Sequence, residues 1–285
     1  MKGAVRAIRI FQAMAAQGWR GRAIASFLYG VLRLLRPRGD RIDSNLRLVY
    51  PAKDRAWRAE LRRGVYRNLA WTVTEVLALQ RDHRQAFDWI SEVEGEDILA
   101  ERLKDPGGGI LLSGHFGNWE LLGSWFSQRF RERGRQLYVL YQEIHDHDIA
   151  ALVREYREAS GMRVLPKEAS TLDMVRMLRG GAWIGVLTDV SWAGGVTLPF
   201  MGQPCTNAPG PAVLAMLSSV PIVPLAAYRQ GPFRHALRFL DPISVPKEGN
   251  REERIELTLR AINRALEEII APRPELWFWL HNRWK

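Results

Sequence analysis

Gly107-Gly108-Gly109-Ile110-Leu111-Leu112-Ser113-Gly114-His115-Phe116-Gly117-Asn118-Trp119-Glu120-Leu121-Leu122-Gly123-Ser124-Trp125-Phe126 is the stretch on which the reading of this chain turns. Residues 110–113 follow a glycine turn and read as a short buried strand. From Glu120 onward Leu121, Leu122 and Trp125 share one face of a helix. Between the two elements sit His115 and Glu120, five positions apart. On one continuous helix such residues point about 140° away from each other, so only a strand-to-helix turn brings them together. Gly114 and Gly117 permit that turn.

A histidine held by a carboxylate is a general base. The carboxylate fixes the tautomer and stabilises the imidazolium, while the free ring nitrogen takes a proton from a hydroxyl. If that hydroxyl belongs to a substrate, no Ser or Cys nucleophile is required. The spacing alone leaves a second reading open, in which His115 satisfies hydrogen bonds at a strand end and Glu120 is favoured at a helix N-terminus by the macrodipole.

Outward from this stretch the pattern repeats. Residues 137–141, 162–165, 182–187, 221–228 and 234–239 read as short strands, and 96–103, 149–159, 171–178, 212–219 and 252–270 as helices. The alternation predicts an α/β fold with a largely parallel central sheet flanked by helices. Ligands then gather at the carboxyl edge of the sheet, where His115, Tyr141 and Asp189 fall at or just past strand ends. Upstream, 54–79 reads as one or two helices with Leu61, Val65, Leu69, Val73, Val76 and Leu77 on an apolar stripe. Residues 37–43 read as a break, 87–93 as a strand and 194–207 as a loop whose Leu198-Pro199-Phe200-Met201-Gly202 could cover a hydrocarbon chain.

Residues 1–39 carry Lys2, Arg6, Arg9, Arg20, Arg22, Arg33, Arg36 and Arg38 with no acidic residue, interleaved with Ile8, Ile10, Phe11, Trp19, Phe27, Leu34 and other apolar side chains. A basic amphipathic helical segment of this kind suits an anionic membrane surface. A first core helix with a solvated basic rim is the alternative; a nucleic-acid arm rarely carries so much aliphatic surface. With no repeat, linker or shift in composition further on, the division is 1–40 as a membrane-surface segment and 41–285 as a single α/β domain.

The balance of the chain agrees with such a surface. A formal charge of +10 attracts anions, whether nucleic acid, lipid head groups or an acidic carrier protein. The hydrophobic content of 47% excludes a disordered chain, and eleven tryptophans include candidates for a membrane–water boundary. The one cysteine, Cys205, excludes an internal disulfide framework and fits a reducing compartment. No run reaches the roughly eighteen apolar residues of a transmembrane helix and no signal-peptide cleavage pattern is present, which predicts a chain kept on the cytoplasmic side. Nucleotide-binding glycine motifs are missing. His145-Asp146-His147-Asp148 reads as a polar loop rather than a metal site, since adjacent residues rarely converge on one ion.

Taken together these residues resemble the lipid A biosynthesis acyltransferases, the lauroyl and myristoyl transferases of the wider lysophospholipid acyltransferase superfamily. Gly109 to Glu120 resembles the family's strand and H-x4-D/E box, Asn45 to Pro51 its Asn-Leu…Phe-Pro segment, and Asn68 to Glu75 the helix that follows. Trp279-x-His281-x-Arg283-Trp284-Lys285 is similar to the family's terminal Trp-x-His-Arg-Arg-(Phe/Trp)-Lys. The resemblance implies transfer of a fatty acyl group from acyl carrier protein or acyl-CoA, as cosubstrate, to a hydroxyl of a lipid acceptor at the cytoplasmic face of the bacterial inner membrane. It implies no bound cofactor or metal and no nucleic-acid partner. His115 maps onto the catalytic base and Glu120 onto its acidic partner; Arg157, Asp189, Asn118 and Arg283 are the implied substrate-binding residues. The oxyanion would draw on backbone N–H groups near Gly117 and Asn118 or on Arg157. The chain departs from the family at Tyr141-Gln142, where Tyr-Arg is usual, and at Asp189-Val190, where Asp-Gln is usual. Phe116-Gly117-Asn118-Trp119 also resembles the box of the actinobacterial phosphatidylinositol mannoside acyltransferases, so the acceptor is lipid A precursor-like, or else phosphatidylinositol mannoside-like, another glycolipid or a lysophospholipid. A noncatalytic lipid-binding protein is the rival from another class.

Overall fold

The structure is a computed structural model describing residues 2–141, 147–166 and 169–284. Four helices lead the chain: α1 (Lys2–Met14), α2 (Trp19–Leu35), α3 (Gly39–Val49) and α4 (Arg55–Leu79). They are followed by α5 (Gln85–Trp89), β1 (Ile90–Glu94), α6 (Glu96–Arg102), β2 (Gly109–Ser113), α7 (Trp119–Arg131), β3 (Leu137–Tyr141), α8 (His147–Ala159) and β4 (Arg163–Pro166). Then come α9 (Thr171–Arg179), β5 (Trp183–Leu187), β6 (Val196–Phe200), β7 (Gln203–Asn207), α10 (Gly210–Ser218), β8 (Ile222–Gly231), β9 (Arg234–Phe239), α11 (Arg251–Ile270) and a 3-10 turn at Pro274–Leu276.

Among the described residues, seven strands form one sheet in the order β1-β9-β8-β2-β5-β3-β4, parallel throughout except for the β8–β9 hairpin. The period-2 alternation of a strand explains the two-sided core. Ile110 and Leu112 of β2, Ile184 and Val186 of β5 and Ile222 of β8 enter one cluster with side chains of α9, α10 and α11. Leu111, Trp183 and Val223 enter the opposite cluster with Leu121, Trp125 and Phe126 of α7. All five residues of β2 are buried, as expected for a central parallel strand covered on both faces. The α/β reading with a largely parallel sheet therefore holds.

Several local expectations need correction. The strand expected at 87–93 is the short helix α5 followed by β1 at Ile90–Glu94. The break expected over 37–43 is shorter, because α3 begins at Gly39. The stretch read as a loop at 194–207 is the antiparallel hairpin β6–β7, with Pro199 opposite Pro204 and Met201 and Gly202 both at positive φ in its turn. Proline donates no ladder hydrogen bond, and this two-stranded pair lies outside the main sheet where that loss is tolerated.

The stretch read as one or two helices over 54–79 is α4, one helix of 25 residues capped by the Asp54 side chain, which accepts from the Trp57 amide at 2.7 Å. Val73, assigned to the apolar stripe, is 40% exposed, whereas Asn68, Thr72 and Glu75 are buried. Those three lie at i, i+4 and i+7, hence on one face. Their partner is Arg229 of β8. Its guanidinium donates to Asn68 Oδ1 at 3.0 Å, to Thr72 Oγ1 at 3.0 Å and to Glu75 Oε1. His235 Nε2 lies 3.0 Å from Glu75 Oε2, and Asn118 Nδ2 donates to the same oxygen at 2.9 Å. Burial alone would raise the Glu75 carboxyl, but Arg229, His235 and Asn118 overcome it and bring the group down to about 2. Glu75→Gln leaves Arg229 charged and uncompensated in the interior, so it should destabilise the fold by about 3–5 kcal/mol in urea unfolding. The pair Glu75→Leu with Arg229→Met should recover much of that loss.

Candidate active site

β2 and β5 pair in parallel with Ser113 opposite Leu187. Two residues past each of these positions stand His115 and Asp189, so the sheet register itself brings the two side chains together at the carboxyl edge. His115 Nδ1 lies 2.8 Å from Asp189 Oδ1, and the His115 amide donates to Asp189 Oδ2 at 2.7 Å. Trp277 Nε1 donates to Oδ2 at 2.8 Å. Asp189 is wholly buried, and His115 is 22% exposed at its side chain. Burial raises the Asp189 carboxyl, yet the His115 ring and its hydrogen bond, His281 and Trp277 outweigh this and hold it well below the ordinary carboxylate range. An ionised carboxylate can only accept, so the proton of a neutral His115 sits on Nδ1 and Nε2 is left as the basic nitrogen.

The turn between β2 and α7 is fixed from several sides. Gly117 has φ +58°, and a Cβ there would stand 1.9 Å from the Ala227 carbonyl oxygen, so only glycine fits. Its amide donates to the Leu276 carbonyl at 2.9 Å, and the Phe278 amide donates to the His115 carbonyl at 2.9 Å. Thr72 Oγ1 donates to the Gly117 carbonyl at 2.9 Å, and Asn68 Nδ2 to the Leu276 carbonyl at 3.0 Å. The buried network of α4 thus carries the backbone of the histidine turn. Among the described residues three rings stand around the imidazole, with centroids 5.2 Å away at Trp119, 6.1 Å at Phe278 and 4.7 Å at His281.

The pairing of His115 with Glu120 is corrected by this geometry. Glu120 lies in the first turn of α7, and both of its carboxylate oxygens accept from Arg157 of α8, at 3.1 Å from Nε and 2.5 Å from Nη2. The pair is largely buried, at 13% and 16% exposure. Tyr156 donates to the Glu120 carbonyl at 3.2 Å. Glu120 therefore ties α7 to α8, while the carboxylate on the imidazole comes from the neighbouring strand. Asn118, taken as substrate-binding, is fully buried and is instead the N-cap of α7: its Oδ1 accepts from the Leu121 amide at 3.1 Å and its Nδ2 is spent on Glu75. Arg283, also taken as substrate-binding, is fully buried. It donates to the carbonyls of Val190 and Thr206 at 2.9 and 3.0 Å and to Asn207 Oδ1 at 2.6 Å, under the Phe200 ring. It braces the chain one residue past Asp189. Trp277, His281, Arg229 and Glu75 were given no role from sequence; only their place in segments resembling the family pointed to Glu75 and His281. The side chains of 145–148 and the whole of Gln142 lie outside the described residues, and the described ones contain no cluster suited to a metal ion.

A family model described as bacterial lipid A biosynthesis acyltransferase matches residues 11–285. The chain belongs to that family. A curated relative, the phosphatidylinositol mannoside acyltransferase of Mycobacterium tuberculosis, is 24% identical over 156 residues, which are 53% of this chain and 48% of that protein. The chain thus aligns with about half the length of that relative. Among solved structures, the 1-acyl-sn-glycerophosphate acyltransferase PlsC of Thermotoga maritima matches 88% of this chain and 98% of its own at 14% identity, with a TM-score of 0.40.

In this member of the lipid A acyltransferase family the histidine of the H-x4-E box is oriented through Nδ1 by a buried aspartate, with Nε2 not engaged by that carboxylate. Nitrogen-resolved NMR should find neutral His115 as the Nδ1–H tautomer. Asp189→Ala should abolish that preference and leave a tautomer mixture; an unchanged Nδ1–H signal would show that the carboxylate does not set it.

Proposed function

We propose that this protein transfers a fatty acyl group from a thioester, carried by acyl carrier protein or coenzyme A, to a hydroxyl of a glycolipid at a membrane surface, with His115 as general base. The observation that carries the reading is the His115–Asp189 pair, 2.8 Å apart and seated at the carboxyl edge of a parallel sheet. The acceptor hydroxyl enters beside Nε2, loses its proton to His115 and attacks the thioester carbonyl. Asp189 stabilises the imidazolium that forms, and the same proton then goes to the departing thiolate. Glu120 and Arg157 hold the first turn of α7 against α8. The family description favours a lipid A precursor as acceptor, and the mycobacterial relative supports a phosphatidylinositol mannoside-like glycolipid as the second reading.

Transfer of acyl chains from an acyl thioester to a panel of such lipids, followed by mass spectrometry, tests this reading. His115→Ala should abolish transfer, and Asp189→Asn should lower kcat by roughly 10³–10⁴. Glu120→Gln should fall less than Asp189→Asn; the opposite order would return the role of imidazole partner to Glu120.

The membrane side of the reading rests on α2. Trp19, Phe27 and Leu34 lie on one face of this helix and are 75%, 57% and 81% exposed, with Leu35 at 71% beside them. Arg20, Arg22 and Arg33 flank them and are exposed, while Gly21, Ile24 and Ala25 turn into the protein. An apolar stripe bordered by arginines suits an anionic interface, each basic residue near the surface adding about 1 kcal/mol. Among the described residues no helix is long and apolar enough to cross a membrane. We place the protein at the cytoplasmic face of the inner membrane on its resemblance to the family, not on that absence. Flotation on vesicles containing anionic lipid should be largely lost when Trp19, Leu34 and Leu35 are all replaced by Glu. Undiminished flotation of that variant would refute this use of α2.

A further inference from the structure

We propose that His281 is a second catalytic imidazole, which donates a hydrogen bond from Nε2 to the thioester carbonyl oxygen as that oxygen becomes an oxyanion beside His115. The proposal rests on the acyl-transfer reading above and adds a group to it. The His281 ring meets the His115 ring edge to face, with centroids 4.7 Å apart and planes at 68°. Its Nε2 is buried and has no hydrogen-bond partner among the described residues. Leaving such an atom unmatched carries a desolvation cost that a phenyl ring in the same place would avoid. A polar edge kept at that cost within reach of the base points to a partner that arrives with the substrate.

The backbone of the segment bearing His281 is held from several sides. Asn45 of α3 donates from Nδ2 to the carbonyls of both Trp279 and His281, at 3.0 and 2.9 Å. Arg38 donates to the Leu280 carbonyl at 3.2 Å, and the Phe278 amide reaches the His115 carbonyl at 2.9 Å. A donor fixed in advance needs no reorganisation when charge develops, which is what makes oxyanion stabilisation effective.

The charge state of the ring suits a donor rather than a second base. Both Asp189 oxygens are engaged by His115 and Trp277. Burial, followed by the His115, Arg38 and Arg283 charges, lowers His281 to about 4 against the pull of Asp189, so the ring is neutral and does not compete for the proton His115 must take. In the reaction the acceptor O–H bond breaks and its proton passes to His115 Nε2, while the new C–O bond pushes the carbonyl electron pair onto oxygen. His281 Nε2–H bonds to that oxygen and keeps its own proton. Collapse re-forms the carbonyl, the C–S bond breaks, and the thiolate leaves with the proton from His115.

The test uses the full chain, palmitoyl-coenzyme A as donor and a bacterial glycolipid extract in anionic vesicles as acceptor, with thiol release as the signal. His281→Phe should lower kcat by roughly 10²–10³ with the thioester KM and the melting temperature near wild type. Gln places an amide near the Nε2 position and Asn does not, so His281→Gln should recover about tenfold of the loss while His281→Asn should not. The deficit should persist across the pH profile. His281→Phe turning over within about threefold of wild type, a deficit erased at high pH, or Gln no better than Asn would each overturn the proposal. If the Phe variant fails to fold, the Gln and Asn pair decides. Equal thiol release by wild type and His115→Ala would instead overturn the acyl-transfer reading and the role of His281 with it. A dead His115→Ala beside a fully active His281→Phe sinks only the role of His281.

Discussion

A carboxylate with no access to water sits where two parallel strands end, and the candidate site is arranged around it. Asp189 loses its hydration entirely and recovers stabilisation from three N–H donors: the His115 amide, the His115 ring and the Trp277 indole. Hydrogen bonds to a charged group contribute about 1.5–3 kcal/mol each, enough in sum to offset the desolvation of one carboxylate. The arrangement also favours a glycine. A Cβ on Gly114 would stand 3.0 Å from Asp189 Oδ2, against the oxygen that binds the next residue's amide.

A second buried carboxylate, Glu75, works from the other side of the same turn. It shares no hydrogen-bond donor with Asp189, yet both converge on one piece of backbone. Through Thr72, Asn68 and Asn118 the Glu75–Arg229 pair supports the Gly117 and Leu276 carbonyls and the start of α7. Asp189 meanwhile fixes the ring and amide of His115 and the indole of Trp277. Buried ion pairs are weak contributors to net stability, so their use here is better understood as fixing one geometry of the turn.

How far the sequence revealed this differs between elements. The buried β2, the helix α7 and the turn carrying His115 follow directly from apolar periodicity and glycine placement, and Asp189 was recognisable as a strand-end residue. What periodicity does not contain is strand order. Because β5 rather than some other strand lies beside β2, the carboxylate facing His115 comes from 74 residues downstream and not from Glu120 five positions away. The same limit hides the polar face of α4: its apolar stripe packs inward apart from Val73, but Asn68, Thr72 and Glu75 are buried as well because Arg229, brought alongside by β8, satisfies them. Arg283, expected to bind substrate, is buried for the same reason, since its partners are the Val190 and Thr206 carbonyls and Asn207 of distant loops.

The last segment of the described chain has a temporal meaning as well as a spatial one. Trp277 reaches Asp189 across 88 residues of sequence, and Asn45 holds the carbonyls of Trp279 and His281 across 234 and 236. Contacts this distant close late, because the entropy of forming such large loops must be overcome before the contacts reward it. The sheet can therefore be complete while the imidazole still lacks its indole-braced carboxylate and its ring of aromatic neighbours. The braced His115–Asp189 pair is then complete only once these long-range contacts have closed.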